Sequence, residues 1–257
     1  MSAAITGDGR DLVLLHGWGM HGGVWGDIGS TLSGNYAVRA IDLPGHGDSA
    51  TPPHPCTLGS MADAIGVTLQ SASILVGWSL GGMVALEIAR RYPDRVARIV
   101  LIASTPQFVA DSEWPHALSS DTLEDFGAAL ESAYEATMRR FFTLQVKGSS
   151  DERAMLRVLL QRLNARPRPD PRILNAELEI LRKARLQEHL QTLTCPVGVI
   201  HGTRDTLIPV AAAYAVKNLR PSAQLRVLHG ATHVPFVSHP EAFAAALQEC
   251  LNDELAG

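Results

Sequence analysis

The chain of 257 residues contains only three cysteines, Cys56, Cys195 and Cys250, and they lie far apart. An odd number of cysteines at these spacings supplies neither a disulfide framework nor the paired ligands of a zinc site. The cysteine pattern therefore predicts a protein of a reducing compartment, and it gives no sign of a bound metal.

Long apolar runs are also missing, since the longest are the length of a strand and a membrane helix needs about 20 residues. Residues 1–8 show no basic segment followed by an apolar one, which a secretory signal would require. The net charge of −4 argues against a general nucleic-acid or membrane-surface binder. We therefore expect a cytoplasmic protein without a nucleic-acid or membrane partner.

The most informative stretch is residues 77–82, Gly-Trp-Ser-Leu-Gly-Gly, which follows the apolar run 73–76 and precedes the helix-forming segment 83–90. Strand, sharp turn and helix with a serine at the apex are typical of a nucleophile elbow. A nucleophile at so tight a turn takes an unfavourable backbone conformation, and small neighbours allow the strand and the helix to approach. The pattern predicts Ser79 as a nucleophile, with an ordinary serine in a glycine-rich turn as the alternative.

Short apolar segments alternate with helical ones along the chain. Strands are predicted at 12–15, 36–42, 73–76, 99–103, 197–200 and 225–228, and helices near 24–32, 60–69, 83–90 and 241–251. This alternation predicts an α/β fold with a mostly parallel, doubly wound sheet. Residues 105–193 show helical patterns and no convincing strand. We therefore expect core residues 1–104 and 194–257, with a helical cap, 105–193, inserted between two strands.

A serine hydroxyl is a weak nucleophile that needs a base, and the base needs a third group that fixes its tautomer. Asp205 follows the fifth predicted strand and His233 follows the sixth, so both come from the sheet edge where open parallel sheets assemble their sites. Their order after Ser79 is nucleophile, acid, base, as in other enzymes with this elbow. We predict Ser79, Asp205 and His233 as the catalytic residues.

Other side chains compete for two of these roles. His229 lies four residues before His233 and is a rival base, although it belongs to the strand end. His201 directly follows its strand and is expected to be structural. A carboxylate of the cap, such as Asp170, is the remote alternative for the acid.

The negative charge that develops on a substrate oxygen needs hydrogen-bond donors that are already in place. The backbone N–H groups of Leu80, directly after the nucleophile, and of Trp18, in the turn after the first predicted strand, are the predicted donors. The side chains of Trp18 and Trp78 are candidates for walls of an acyl pocket. Phe141 and Phe142 are candidates for its lining, with plain core packing as the alternative.

Five segments together resemble the α/β-hydrolase superfamily, and the likeness runs the length of the chain. They are residues 16–19 (His-Gly-Trp-Gly), 42–49 (Asp-Leu-Pro-Gly-His-Gly-Asp-Ser), 77–82, 202–205 (Gly-Thr-Arg-Asp) and 231–233 (Ala-Thr-His). The resemblance implies an α/β-hydrolase fold and catalysis by serine. No metal or organic cofactor is expected for that chemistry.

A narrower set of features resembles the pimeloyl-[acyl-carrier protein] methyl ester carboxylesterases of biotin synthesis. They are Trp18, residues 77–82, 113–115 (Glu-Trp-Pro), 178–181 (Leu-Glu-Ile-Leu) and 238–240 (Ser-His-Pro). The resemblance implies a serine carboxylesterase that removes the methyl group from the pimeloyl chain on its carrier. It also implies that Arg140, Arg153 and Arg157 contact the carrier, whereas a further matching position holds Ala136, with Arg139 as a candidate replacement.

The charge pattern of the predicted cap is a separate indication of an acidic partner. All seven charged residues between 111 and 135 are acidic, whereas residues 139–172 hold nine basic side chains against three acidic ones. Arg153 and Arg157 are one helical turn apart and share a face. Acyl-carrier proteins are acidic, so this basic segment is suited to docking one. A solvated helix face with internal ion pairs is the alternative.

These observations favour an esterase that acts on a carrier-linked ester. The first rival is a hydrolase of small free esters, thioesters or carbon–carbon bonds that uses no carrier. The second is a small-molecule receptor that binds a ligand without turnover, which the presence of Ser79, Asp205 and His233 disfavours.

Overall fold

The structure is a computed structural model, and it describes residues 3–26, 28–51, 56–130 and 132–252. Within these residues it contains seven strands: Ala3–Thr6 (β1), Arg10–Leu15 (β2), Tyr36–Ile41 (β3), Ser73–Trp78 (β4), Val96–Ile102 (β5), Val197–Gly202 (β6) and Gln224–Leu228 (β7). They form one sheet in the order β1-β3-β2-β4-β5-β6-β7. All neighbouring pairs are parallel except β1 with β3. This confirms the predicted α/β class and the mostly parallel sheet.

The helices lie between the strands in chain order. They are Ile28–Leu32 (α1), Leu58–Gly66 (α2), Leu80–Arg91 (α3), Ser120–Leu130 (α4), Tyr134–Val146 (α5), Glu152–Leu163 (α6), Pro171–Lys183 (α7), Gln187–Thr192 (α8), Val210–Leu219 (α9), Pro235–Ser238 (α10) and Pro240–Asn252 (α11). Short 3₁₀ helices span Gly22–Trp25 and Pro93–Arg95.

Two local predictions need correction. The single helix predicted over residues 24–32 is wrong, because the 3₁₀ helix ends at Trp25 and α1 starts at Ile28. Gly26 lies between them with φ of 53°, a left-handed conformation that an α-helix cannot contain. The prediction also missed β1, whose four residues pair with the outer edge of β3.

The inner strands are buried because helices cover both faces of the sheet. Every residue of β4 and of β6 is buried, as are the last five residues of β2. Such strands have continuous apolar sequences, which explains why Leu12–Leu15 and Ile74–Val76 were recognisable. Because β2, β4, β6 and β7 run parallel to one another, their carboxyl ends lie at the same edge of the sheet.

The chain between β5 and β6, which we call the insertion, contains the helices α4 to α8. Its two ends are held together at the sheet, since the Leu186 N–H donates to the Pro106 carbonyl at 3.0 Å. The Gln187 amide donates to the Gln107 side chain at 2.5 Å. Within its described residues, the insertion also contains an isolated β-bridge between Val109 and Leu118. The predicted cap, 105–193, corresponds to this helical part of the chain.

The structure also bears on the cysteines and on the membrane question. Cys56, Cys195 and Cys250 are buried and form no disulfide with one another, and burial raises the pKa of Cys56 to about 11. Among the residues described, no group of three or more His, Cys, Asp or Glu side chains is arranged so that it could hold a metal ion. None of the described helices has the length and apolar character to cross a membrane.

Candidate active site

The elbow has the strained geometry that its sequence predicts. β4 ends at Trp78 and α3 begins at Leu80, so Ser79 makes the turn, with φ of 55° and ψ of −120°. Such a conformation costs a non-glycine residue about 1–3 kcal/mol and persists where the surroundings enforce it. The Ser79 N–H donates to the Ile102 carbonyl at 3.0 Å, and the Ser104 hydroxyl donates to the Ser79 carbonyl at 2.7 Å. Strand β5 and the residues after it therefore hold the elbow in place.

Two glycines of the elbow are required by the close approach of the chain to itself. A Cβ atom at Gly77 would overlap the carbonyl of Gly81. A Cβ atom at Gly81 would overlap the carbonyl of Leu15, at the end of β2. The residue pattern recognised in the sequence is thus a packing requirement of the strand, the turn and the first turn of α3.

His233 lies in the loop between β7 and α10, and its ring reaches the elbow. Its Nε2 atom is 3.1 Å from the Ser79 Oγ, and its Nδ1 atom is 2.8 Å from the Asp205 Oδ2. The Trp78 indole N–H donates to the His233 carbonyl at 2.8 Å and so fixes the loop. The three predicted catalytic residues therefore form a continuous hydrogen-bonded chain.

Asp205 follows β6 and is buried. Its Oδ1 atom accepts from the N–H groups of Leu207 and Ile208, both at 2.9 Å. Burial alone would raise the pKa of Asp205, but His233 and His201 beside it outweigh burial and hold that pKa well below its usual range. The side chain facing the His233 ring is therefore a carboxylate, which orients the ring and favours its charged form.

The turn after β2 lies directly against Ser79. A Cβ atom at Gly17 would be 3.1 Å from the Ser79 Cβ, which shows how near the two backbones are. The backbone N–H of Leu80 directly follows the nucleophile at the start of α3, and that of Trp18 follows Gly17 in this turn. Two donors next to the nucleophile are thus available to a substrate oxygen.

His16 fixes the conformation of this turn. The Leu43 N–H donates to its Nε2 atom at 2.9 Å, so the ring proton is on Nδ1 and donates to the Gly17 carbonyl at 2.9 Å. Burial, followed by the nearby His46, holds the pKa of His16 well below its ordinary value. A neutral ring with one donor and one acceptor satisfies both backbone groups.

The Trp18 side chain connects the turn to the insertion. Its indole N–H donates to the Leu174 carbonyl of α7 at 3.0 Å, and its ring packs edge-on against Phe141 with centroids 4.7 Å apart. Phe126 packs edge-on against Phe141 at 5.5 Å. Phe141 and Phe142 are both buried. These aromatic rings lie where the insertion meets the core, above the turn that contacts Ser79.

The predicted docking arginines do not all face one way. Arg153 and Arg157 of α6 line a groove together with Arg139 of α5, and these three form no recorded ion pair within the described residues. Arg140 is exposed on another side of α5, where its guanidinium lies 5.4 Å from the centre of the Phe126 ring. The structure therefore groups Arg139, and not Arg140, with Arg153 and Arg157.

Several of the other basic residues of this segment are engaged within the protein. Arg166 reaches from the insertion to the buried Asp42 after β3 and contacts both of its carboxylate oxygens, at 2.5 and 2.7 Å. Arg168 pairs with Glu135 at 2.8 Å. Part of the positive charge counted in the sequence is therefore paired with acidic residues inside the protein. The groove between α5 and α6 holds the arginines Arg139, Arg153 and Arg157.

A second buried pair between the core and the insertion was not visible in the sequence. The His46 Nε2 atom lies 3.3 Å from the Glu177 Oε2, and neither side chain is exposed. Burial lowers the pKa of His46, but the charge of Glu177 and a hydrogen bond to it outweigh burial and raise that pKa. His46 and Glu177 are 131 positions apart in the numbering, and no local pattern connects them.

The rival residues lie elsewhere. His229 is exposed at the end of β7, whereas His233 is buried. Asp170 accepts from the Arg172 N–H at the start of α7, where it is the N-cap. His201 differs from its predicted structural role in one respect, because its Nε2 atom is 3.3 Å from the Asp205 Oδ2. The contact could have been anticipated in the sequence from the spacing of four residues between His201 and Asp205 at the end of a strand.

Comparison with known proteins gives the relationship of the whole chain. The sequence matches the alpha/beta hydrolase family over residues 12–246. It is 40% identical over 243 residues to a pimeloyl-[acyl-carrier protein] methyl ester esterase of Nitrosomonas europaea, covering 93% of this chain and 95% of that protein. It is 41% identical over 244 residues to the enzyme of that name from Methylococcus capsulatus, covering 95% of each.

The fold agrees with these matches. The bromoperoxidase of Bacillus anthracis superposes with a TM-score of 0.88 over 98% of this chain and 95% of its own, at 20% sequence identity. At that identity the likeness concerns the fold alone. The chain belongs to the alpha/beta hydrolase family and, within it, to the family of the pimeloyl-[acyl-carrier protein] methyl ester esterases.

Proposed function

We propose that this protein is a serine carboxylesterase that hydrolyses the methyl ester of pimeloyl-[acyl-carrier protein] to pimeloyl-[acyl-carrier protein], with a free terminal carboxylate, and methanol, a step of biotin synthesis. The observation that carries the proposal is the hydrogen-bonded chain from Ser79 through His233 to Asp205 in a chain related along nearly its whole length to esterases of that name. The chemistry needs no metal and no organic cofactor.

The first half-reaction forms an acyl-enzyme. The Ser79 Oγ attacks the ester carbonyl carbon, and its proton passes to the Nε2 atom of His233, 3.1 Å away. Asp205 stabilises the resulting imidazolium without taking the proton. When the tetrahedral intermediate collapses, the bond from the carbonyl carbon to the methoxy oxygen breaks. His233 gives its proton to that oxygen, and methanol leaves.

Water completes the turnover. His233 removes a proton from a water molecule, whose oxygen attacks the acyl-enzyme carbonyl, and the bond to the Ser79 Oγ then breaks as that oxygen regains a proton. The product is a carboxylic acid, which ionises at neutral pH. In both steps the backbone N–H groups of Trp18 and Leu80 donate to the negatively charged oxygen, an interaction whose loss costs about 10²–10³ in turnover in other enzymes.

We infer that the insertion acts as a cap over this site. Trp18 links the two parts through its bond to the Leu174 carbonyl and through its contact with Phe141. Ser79 is 5% exposed, so an ester reaches it through a narrow approach next to these rings. An extended methylene chain matches such an aromatic surface, and we assign Trp18 and Phe141 to the acyl-binding wall.

The groove between α5 and α6 is the candidate docking surface for the carrier protein. Arg153 and Arg157 line it, and Arg139 contributes from α5. Positive side chains that form no ion pair with the described residues suit an acidic partner, because complementary charge speeds encounter and fixes orientation. Arg140 lies outside the groove, over the Phe126 ring.

Methanol release tests the proposal. The protein is incubated with the methyl ester of pimeloyl-carrier, and methanol and the mass of the carrier are measured, with Ser79→Ala as the control. We expect stoichiometric methanol and a carrier that has lost one methylene in mass, and neither product with Ser79→Ala. Turnover of small free esters with none of the carrier-linked ester would refute the assignment of the substrate.

A further inference from the structure

His201 occupies a position next to the catalytic carboxylate that the reaction described above does not use. It is the penultimate residue of the buried strand β6, and it is completely buried. Its Nε2 atom is 2.8 Å from the Ile208 carbonyl and 3.3 Å from the Asp205 Oδ2. Because a carbonyl oxygen can only accept, the ring proton must be on Nε2.

Both polar groups of the Ile208 backbone are held by this arrangement. Its N–H donates to the Asp205 Oδ1 at 2.9 Å, while its carbonyl accepts from His201. The loop that carries Asp205 therefore closes on itself, with His201 at its base. A change at His201 reaches Asp205 by two routes, through the loop and through the contact with Oδ2.

Both oxygens of the Asp205 carboxylate accept hydrogen bonds. Oδ1 accepts from the N–H groups of Leu207 and Ile208, and Oδ2 faces the rings of His233, at 2.8 Å, and His201, at 3.3 Å. An ionised carboxylate offers about four acceptor positions. Three of them accept hydrogen bonds, from Leu207, Ile208 and His233, and the His201 ring lies beside Oδ2, so the group cannot rotate without losing a partner.

We propose that His201 is a positioning residue that clasps the Asp205 loop and shares Oδ2 with His233, so that the carboxylate stays oriented for the triad. The proposal rests on the esterase function proposed above, because it concerns the same three residues. It assigns to His201 no contact with substrate.

The electrostatic consequence has a definite sign. The Nε2–H group of His201, which donates to the Ile208 carbonyl, lies 3.3 Å from Oδ2. Its positive end draws negative charge away from the hydrogen bond to His233 and thereby disfavours the imidazolium form of that ring. The titratable side chains recorded against Asp205 in the described residues are His201, from β6, and His233, from the loop before α10. The side chains hydrogen-bonded to the His233 ring are those of Asp205 and Ser79. Removing the His201 donor should therefore make His233 easier to protonate.

The test compares two variants of one position. His201→Gln keeps an N–H donor near the place of Nε2, whereas His201→Leu keeps the bulk and removes the donor. For each variant the titration midpoint of the His233 ring is followed by NMR, and kcat/KM for p-nitrophenyl butyrate is measured across pH. The NMR titration needs no substrate, so its outcome is independent of whether pimeloyl-carrier is turned over.

With His201→Leu, we expect the His233 midpoint and the acid limb of kcat/KM to move upward by about half to one pH unit, the size of effect that a hydrogen bond to a carboxylate can produce. With His201→Gln, both should stay near those of the wild type. A uniform loss of activity with an unmoved midpoint in His201→Leu would leave His201 a packing residue and overturn the proposal.

Misfolding of His201→Leu does not remove the test. In the wild-type protein, NMR of histidine nitrogens assigns the tautomer of His201 directly. We expect the Nε2–H form with a hydrogen-bonded proton. An Nδ1–H form would put the lone pair of Nε2 against two acceptors and would overturn the proposal without any variant.

Discussion

The Nε2 atom of His233 lies 3.1 Å from the Oγ atom of Ser79, although 154 residues separate them. The sheet order explains the distance, because the elbow follows β4 and His233 follows β7, and both strands end at the same edge. The contact also depends on Trp78, whose indole N–H holds the His233 carbonyl. The nucleophile's own neighbour thus positions the base.

Loss of the carboxylate should leave the base without its orienting partner. We expect Asp205→Asn to lower kcat for p-nitrophenyl butyrate by about 10³–10⁴, because an amide favours the wrong tautomer of the His233 ring. Asp170→Asn is the matched control, since Asp170 caps α7 and asparagine is an equally good N-cap. If kcat falls as much in the control as in Asp205→Asn, Asp205 is wrongly assigned as the catalytic acid.

The oxyanion donors are backbone groups, so a glycine substitution tests them better than a change of the Trp18 side chain. Gly17→Ala would place a Cβ atom 3.1 Å from the Ser79 Cβ and 3.0 Å from the Trp78 ring. The turn and these neighbours must move apart by a few tenths of an ångström, and we expect kcat to fall by about 10²–10³, the cost of losing one oxyanion donor. KM should change little by comparison.

Gly34→Ala is the control for that substitution, because no atom lies within 4 Å of a Cβ built there. Its kinetic constants should equal those of the wild type. Activity of Gly17→Ala within a factor of two of the control would show that the turn does not supply an oxyanion donor.

Reversal of charge in the groove should separate carrier-linked from free substrate. We expect Arg157→Glu to lower kcat/KM for the pimeloyl-carrier ester by about tenfold or more, since like charges across an interface cost several kcal/mol. Kinetics with p-nitrophenyl butyrate should be unaffected. Arg10→Glu makes the same change of charge at the start of β2, and it should alter neither substrate. Equal losses on both substrates with Arg157→Glu would exclude the groove as the docking surface.

Arg139 and Arg140 give a finer test of the same surface. Arg139 lines the groove with Arg153 and Arg157, whereas Arg140 lies over the Phe126 ring. Arg139→Glu should therefore weaken turnover of the carrier-linked ester more than Arg140→Glu does. The reverse order would favour the family's pattern of carrier contacts over the grouping seen here.

The buried pair of His46 and Glu177 should make stability depend on pH. The pKa of His46 is raised in the folded protein, so the stabilisation by this pair is complete below about pH 6.5 and is lost as the pH rises through the raised value. Glu177→Gln should lower the free energy of unfolding in urea by about 3 kcal/mol at pH 6. At pH 9 the difference should shrink or change sign, since a buried carboxylate then faces a neutral ring.

Glu179→Gln is the control on the same helix. Glu179 pairs with Arg182 and Lys183 at the surface, and hydrogen bonds from those two residues lower its pKa to about 2. It is ionised at both pH values, so the effect of Glu179→Gln should be below about 1 kcal/mol and the same at each. If Glu177→Gln also changes the free energy of unfolding by the same amount at both pH values, the ionic interaction with His46 is refuted.

The sequence allowed the core fold to be predicted because strands buried on both faces carry continuous apolar runs, as in β2 and β4. It failed at β1, which is only four residues long and is held by antiparallel pairing with β3. It also failed at α1, where Gly26 separates two short helices. The helix α9 is absent from the prediction, although its alanine-rich segment after Pro209 carries a helix signal.

The site shows a similar division. Ser79, Asp205 and His233 could be named in advance because each follows a strand that ends at one edge of the sheet. Contacts between the insertion and the core could not, since Asp42 with Arg166 and His46 with Glu177 join residues more than 120 positions apart. Which of two adjacent arginines faces the groove depends on the rotation of α5, which a charge count does not reveal.

Covalent labelling of Ser79 tests the central claim most directly, since every step proposed here starts with attack by its hydroxyl. The protein is treated with a fluorophosphonate, and the rate and the site of the adduct are measured for the wild type and for His233→Gln. We predict a single adduct on Ser79 in the wild type and a large loss of its rate of formation in the variant. No adduct on Ser79, or the same rate in both proteins, would contradict the account.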